Sequence, residues 1–407
     1  MTIVAPAPMW TKEGRQDSSA WYRHMLEHEP VTYHSEIKAY GVFDYELIRK
    51  IFLDPATWSS ARRFDSTPPG QKKLHILADT VAATDPPEHS RLRMLAMPSV
   101  APKQMGAIEP HLREVIDTLL SDAIDRGTFD LVAEFAHKLP QMIINNILGI
   151  PPEDYEMAKG LSDRMEAATG RYTGAPMTDV AELRQVNDEY RQYFEPLIAA
   201  RRKVDTGDVL SKLVQAEQDG DRLSTEELFK MAMIFNRAGA ETTMTGIVNM
   251  IRGFMEYPGQ YKKLTESPNL VASAVDEVLR FYPPTQSMSR VATRDVEIGN
   301  VMVPEGATML LWLPAANRDP KVFDDPEVFD IERSPNRHVS FGYGIHVCIG
   351  LHLARLEMEG VLKQWLKRVA TFERAETGPI DWNEISLVTM FPRSFPISIT
   401  AKPGSPG

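Results

Sequence analysis

From Ser224 to about Tyr257 one apolar stripe runs unbroken, with Leu228, Met231, Phe235, Ala238, Ile247 and Ile251 at helical spacing. Ser224-Thr-Glu-Glu227 has the form of a capping box at its start, and Pro258 closes it. The stretch predicts a helix of roughly 30 residues, about 45 Å long at the standard rise. A rod of that length reaches across a whole domain, and the rest of the chain must pack around it. Inside it lies Ala238-Gly239-Ala240-Glu241-Thr242-Thr243. Glycine in a helix interior costs about 1 kcal/mol relative to alanine, and threonines are poor formers too. A local rule broken inside an element marks a candidate functional position. On these residues alone two readings stand. Thr242 can bond back to its own helix beside an exposed Glu241, or the two can pass protons as a hydroxyl–carboxylate pair.

Helical signals dominate elsewhere. Ala107 to Arg126 carries Ile108, Leu112, Val115, Ile116, Leu119 and Leu120 on one face, and Val132 to Leu148 runs similarly into the stop Gly149-Ile-Pro-Pro152. Gly170 to Asp179 reads as a surface turn between two polar helices. Short strands are predicted at Val31–Tyr33, Ala39–Val42, Asp295–Ile298, Val301–Val303, Met309–Leu313 and Pro396–Ile399. The expectation is a mainly α fold with small β-sheets. It forms one domain over residues 1–407, with residues 1–17 a loosely ordered N-terminal segment.

A net charge of −11 argues against nucleic acid as a partner. One cysteine in 407 residues excludes an intramolecular disulfide and fits a reducing, cytoplasmic setting. No segment approaches the ~20 apolar residues that span a bilayer, so no membrane is expected. That cysteine, Cys348, is left as a buried hydrophobe, a nucleophile or a metal ligand. It precedes an amphipathic stretch, Leu351 to Val369, where a helix N-terminus would stabilise its thiolate.

The run Phe341-Gly-Tyr-Gly-Ile-His346-Val-Cys348-Ile-Gly350, continued by Leu353-Ala-Arg-Leu-Glu357, resembles the haem-binding loop of the cytochromes P-450. The resemblance extends from about residue 20 to 400 and implies that family's triangular prism-like helical fold. It implies haem b as cofactor, with Cys348 as the axial thiolate on iron and Phe341 against the ring. Asp85-Pro-Pro-Glu-His89-Ser-Arg-Leu-Arg93 is similar to a second signature of the family. By that likeness His89, Arg93, Arg290 and His346 bind the haem propionates, which need charge-assisted donors. Ala238 to Thr243 matches the distal motif, in which Gly239 leaves room for dioxygen, Thr242 hydrogen-bonds it and Glu241 relays protons. Glu277-Val-Leu-Arg280 matches the family's Glu-x-x-Arg pair, with Arg333 as third member of a structural network. His338 also fits the pattern, without a role.

Substrate contacts are expected at Asn236, Arg237 and Ala240 on the long helix. More are expected at Thr285, Gln286, Ser287 and Met288, at Thr389 and Met390, and in the loop from Phe64 to Leu77. A buried arginine demands a partner. Arg237 is therefore expected to meet a substrate amide or carboxylate, helped by Asn236, or else a protein acid such as Glu241. The polar run Thr285-Gln286-Ser287 disfavours a bare hydrocarbon or steroid.

The resemblance implies a monooxygenase that uses O2 to hydroxylate a small molecule in secondary metabolism. Electrons would come from a ferredoxin served by a separate ferredoxin reductase. The same oxidant could instead couple C–N or C–C bonds on an indole-bearing peptide substrate. Two other classes are a cysteine-nucleophile hydrolase using Cys348 with His346 or His338, and a non-catalytic haem carrier or gas sensor.

Overall fold

The structure is a computed structural model that describes residues 6–64, 78–168, 180–218, 220–383 and 386–404. The surface turn predicted at Gly170–Asp179, and all of the loop from Phe64 to Leu77 beyond its first residue, lie outside them.

The central helix forms as the capping signal requires. It runs Thr225–Glu256, with both halves of the Ser224/Glu227 box made. It stays α-helical through Gly239. A Cβ built on Gly239 would meet Ile144 Cδ1 at 3.1 Å, so the glycine lets the helix Lys138–Ile147 cross closely rather than breaking its own. Around this rod pack the helices Val180–Arg201, Val271–Phe281 and Leu351–Arg368, and Glu109–Arg126 packs outside them against Leu351–Arg368 and Lys138–Ile147. The stretch expected as one helix from Val132 is a π-helical Leu131–Ala136 followed by Lys138–Ile147.

A five-stranded sheet stands beside the helices in the order Val31–His34, Ala39–Val42, Thr308–Trp312, Ser287–Ala292, Trp58–Ser59. Its one parallel pair joins Met309 to Tyr40. The strand Ser287–Ala292 was not expected from the sequence. Its Arg290 lies opposite Met309, and this register aims the residues read as a substrate loop. A second sheet unites Val369–Arg374, Pro396–Ala401 and Thr128–Asp130.

The N-terminal segment corrects an expectation. Residues 6–17 are docked rather than loose: Met9, Trp10 and Arg15 are buried. Trp10 meets Trp21 edge-on at 5.2 Å, and Trp21 meets Trp312 at 5.1 Å. Such edge-to-face pairs add roughly 0.5–1.5 kcal/mol each beyond their burial. Indole side chains at positions 10, 21 and 312 thus supply an anchor that no local periodicity announces. No helix among the described residues is long and apolar enough to cross a membrane.

Candidate active site

Cys348 sits just before the helix Leu351–Arg368, in a loop closed by its own N–H on the Phe341 carbonyl at 2.8 Å. Gly344 turns this loop at φ +71°, where a Cβ would press on the Phe52 carbonyl at 2.7 Å. The thiol is surrounded by protein yet keeps accessible surface, because it opens onto an internal cavity. Burial raises its pKa, while the Gly350 N–H and the Arg93 charge pull it down. Those two groups favour the thiolate.

The cavity holds roughly 1130 Å³ of empty space between this loop and the central helix. Phe341, Cys348 and Gly350 line one wall; Ala238, Gly239, Thr242 and Thr243 line the other. Thr285 and Met288 close a side. Most of the remaining lining is apolar, including Ile144 and Ile147, Leu353 and Met358. Sequence reasoning did not single these out, although the i, i+3 spacing of Ile144 and Ile147 marks a common helix face.

Four basic side chains gather at one edge. His89 is buried, with neither ring nitrogen hydrogen-bonded, and its ring stands 4.0 Å from that of His346. Burial first, then the charge of Arg93, push its pKa down to about 4; Asp85 opposes them and Arg290 adds to them. Arg93 is half-buried, and Arg290 is buried over the Phe52 ring at 5.2 Å. Positive charge and unmet imidazole nitrogens crowded together call for an anion.

Below the loop, Arg280 and Glu277 are both fully buried and meet at 2.7 and 2.8 Å. The other three guanidinium hydrogens go to the carbonyls of Asn317, Pro326 and Val328. Arg333 Nε lies 3.3 Å from Glu277, so the expected three-member network is made. His338 accepts from the Ser340 N–H at 3.3 Å, and its ring lies 5.9 Å from that of Phe341.

On the central helix, Thr242 faces the cavity while its hydroxyl donates to the Ala238 carbonyl at 3.1 Å. The back-bonded form is the one present. Glu241 does not line the cavity; successive helical residues diverge by about 100°. Its Oε1 instead accepts from the Thr389 hydroxyl at 2.6 Å.

Several expected substrate contacts face elsewhere. Asn236 is fully buried, donates to Asn145 Oδ1 at 2.9 Å and accepts from the Tyr190 hydroxyl at 3.0 Å. Its amide is committed to neighbouring helices. Gln286 accepts from Tyr22 at 3.1 Å and donates to the Pro283 carbonyl at 2.7 Å. The Ser287 hydroxyl donates to the Leu387 carbonyl at 2.6 Å. Gln286 and Met390 line a separate, polar cavity. Ala240 and Arg237 are half-buried outside the lining, and Arg237 lies near Tyr190, whose pKa burial raises against the opposing charge of Arg237.

A family model described as Cytochrome P450 matches residues 12–394. The chain belongs to the cytochrome P450 family. Cytochrome P450 109 of Bacillus spizizenii (strain ATCC 23059 / NRRL B-14472 / W23) is 32% identical over 87% of this chain and 85% of its own length. Cyclomarin C epoxidase CymV of Salinispora arenicola (strain CNS-205) is 31% identical over 93% and 95%. The solved structure of CYP109Q5 from Chondromyces apiculatus superposes with a TM-score of 0.87 at 29% identity, covering 97% of this chain and 98% of that one. P450 enzymes are monooxygenases that hold haem through a cysteine thiolate on iron, and this P450 shares both properties. Membership replaces the hydrolase and carrier readings. The residues present fit the group: a lone cysteine opens onto a cavity, with a basic cluster at its edge suited to anionic propionates.

Proposed function

We propose that this P450 hydroxylates a small biosynthetic substrate with a largely apolar body, using Cys348 as its iron ligand. The observation that carries the reading is one shared cavity between the chain's only cysteine and the Gly239–Thr242 face of the central helix. When bound, the thiolate-ligated haem supplies the oxygen-activating chemistry. Burial raises the Cys348 pKa, and the Gly350 N–H and Arg93 oppose it in favour of the thiolate. His89, Arg93, Arg290 and His346 hold the propionates. Thr242, its hydrogen given to Ala238, keeps lone pairs turned to the cavity to accept from water. Glu241 relays protons from solvent, and a separate ferredoxin supplies electrons one at a time.

With Gln286, Ser287 and Asn236 bonded elsewhere, the wall offered to substrate is more apolar than the sequence suggested. Thr285 is then the polar contact near the reacting carbon, and Arg237 meets a carbonyl or carboxylate at the far end. A biosynthetic setting is supported by relatives such as the cyclomarin C epoxidase.

The test is the spectrum of the reduced, carbon-monoxide-bound protein. A red-shifted, thiolate-type Soret band is expected, and Cys348→Ser should abolish it while helical circular dichroism persists. A histidine-type band in the unmodified protein would remove Cys348 as ligand. Titration of Arg237→Leu with carboxylic acids and amides should show about tenfold weaker binding, or 1.4 kcal/mol. Unchanged affinity overturns the role given to Arg237.

A further inference from the structure

We propose that Thr389 is a positioning residue for the distal acid, holding the Glu241 carboxylate behind the wall of the active-site cavity. The inference rests on the reading of Glu241 as the proton relay.

The Thr389 hydroxyl donates to Glu241 at 2.6 Å, the short separation of a hydroxyl on an ionised carboxylate. Thr389 is itself buried, which keeps water from competing for the bond. What makes it a fixed point is its backbone. It pairs with Thr285 in an isolated antiparallel bridge, and its N–H donates to Ser386 Oγ at 3.1 Å. The Gln286 N–H reaches the Val388 carbonyl at 2.7 Å, and the Ser287 hydroxyl reaches Leu387 at 2.6 Å. From the other side Arg15 donates to the Asn383 carbonyl at 2.7 Å and to the Ser386 carbonyl at 2.8 Å. Segments from three distant parts of the chain therefore fix one hydroxyl.

Its location suits a relay. The bridge partner Thr285 lines the cavity that holds Cys348, whereas the next residue, Met390, lines the polar cavity of roughly 1090 Å³. Thr389 stands in the partition between them. An acid tethered there can recover a proton from the polar side after giving one up on the other. Each turnover takes two electrons and two protons with O2, placing one oxygen in product and one in water. Without the hydroxyl the carboxylate loses the contact that fixes this rotamer, and proton delivery slows.

The experiment uses the haem-loaded enzyme without substrate, as Thr389→Val, Thr389→Ser and Glu241→Gln. Two quantities are read. One is the infrared band of the Glu241 carboxylate, identified by subtracting the Glu241→Gln spectrum. The other is the rate, in H2O and D2O, at which the reduced enzyme mixed with oxygen returns to its resting state. Thr389→Val should shift the band, slow the return several-fold and move the solvent isotope effect toward that of Glu241→Gln. Thr389→Ser should restore all three. An unshifted band, or a return rate matching the parent while Glu241→Gln is slowed, overturns the positioning role alone. Glu241→Gln behaving like the parent overturns the relay reading, and the positioning role with it.

Discussion

Glu277 and Glu241 are both glutamates on helices beside the same cavity, and they are held in opposite ways. Glu277 is fully buried and takes hydrogen bonds from Arg280, Arg333, Asn336 and the Asp330 N–H. Glu241 is half-buried, and one of its partners is a neutral hydroxyl, that of Thr389. A carboxylate saturated by buried cationic donors is locked in place. One met by a threonine hydroxyl keeps from it a single bond worth about 1.5–3 kcal/mol net, which can break and remake. The first suits a scaffold under the cysteine loop; the second suits a proton carrier.

The contrast can be broken by measurement. Glu277→Ala strands Arg280 without its counter-charge and should cost about 3–5 kcal/mol in denaturant unfolding. A loss near 1 kcal/mol would mean that water or neighbouring carbonyls suffice, and the distinction would fall. Thr389→Val, in the same assay, should cost about 1.5–3 kcal/mol, less than the loss at Glu277, with slowed proton delivery as its main consequence.

A pH-dependent effect concerns His89, a buried base with no hydrogen-bond partner. Its pKa is about 4 when folded, against an ordinary 6.5, so the unfolded chain binds a proton that the folded one refuses. The stabilisation is full above pH 6.5 and is lost as pH falls through about 4. The thermal midpoint of the haem-free protein should therefore drop across that window. His89→Gln should flatten the slope, and an equal slope in both would remove His89 as its source.

What could be read from the chain was what is local. The cysteine loop, the capping box at Ser224 and the Glu277/Arg280 spacing are each written within ten residues, and each is found in place. The directions of Gln286, Ser287 and Met390 were not legible. They depend on strand Ser287–Ala292 pairing with Thr308–Trp312, and on a bridge from Thr285 to Thr389 more than a hundred positions away. Asn236 misled for a related reason. Its place on the helix was right, but its partners, Asn145 and Tyr190, come from two other helices. The docked N-terminal segment escaped because tryptophans anchor it without periodicity.

Arg15 grips Asn383 across 368 positions of sequence. At roughly 5–20 residues per second, a ribosome leaves about 20–70 s between the two. Glu241 is made 148 positions before Thr389, so for about 7–30 s near its end the acid exists while the hydroxyl that holds it does not. The distal acid is therefore among the last parts of the molecule to reach its working position.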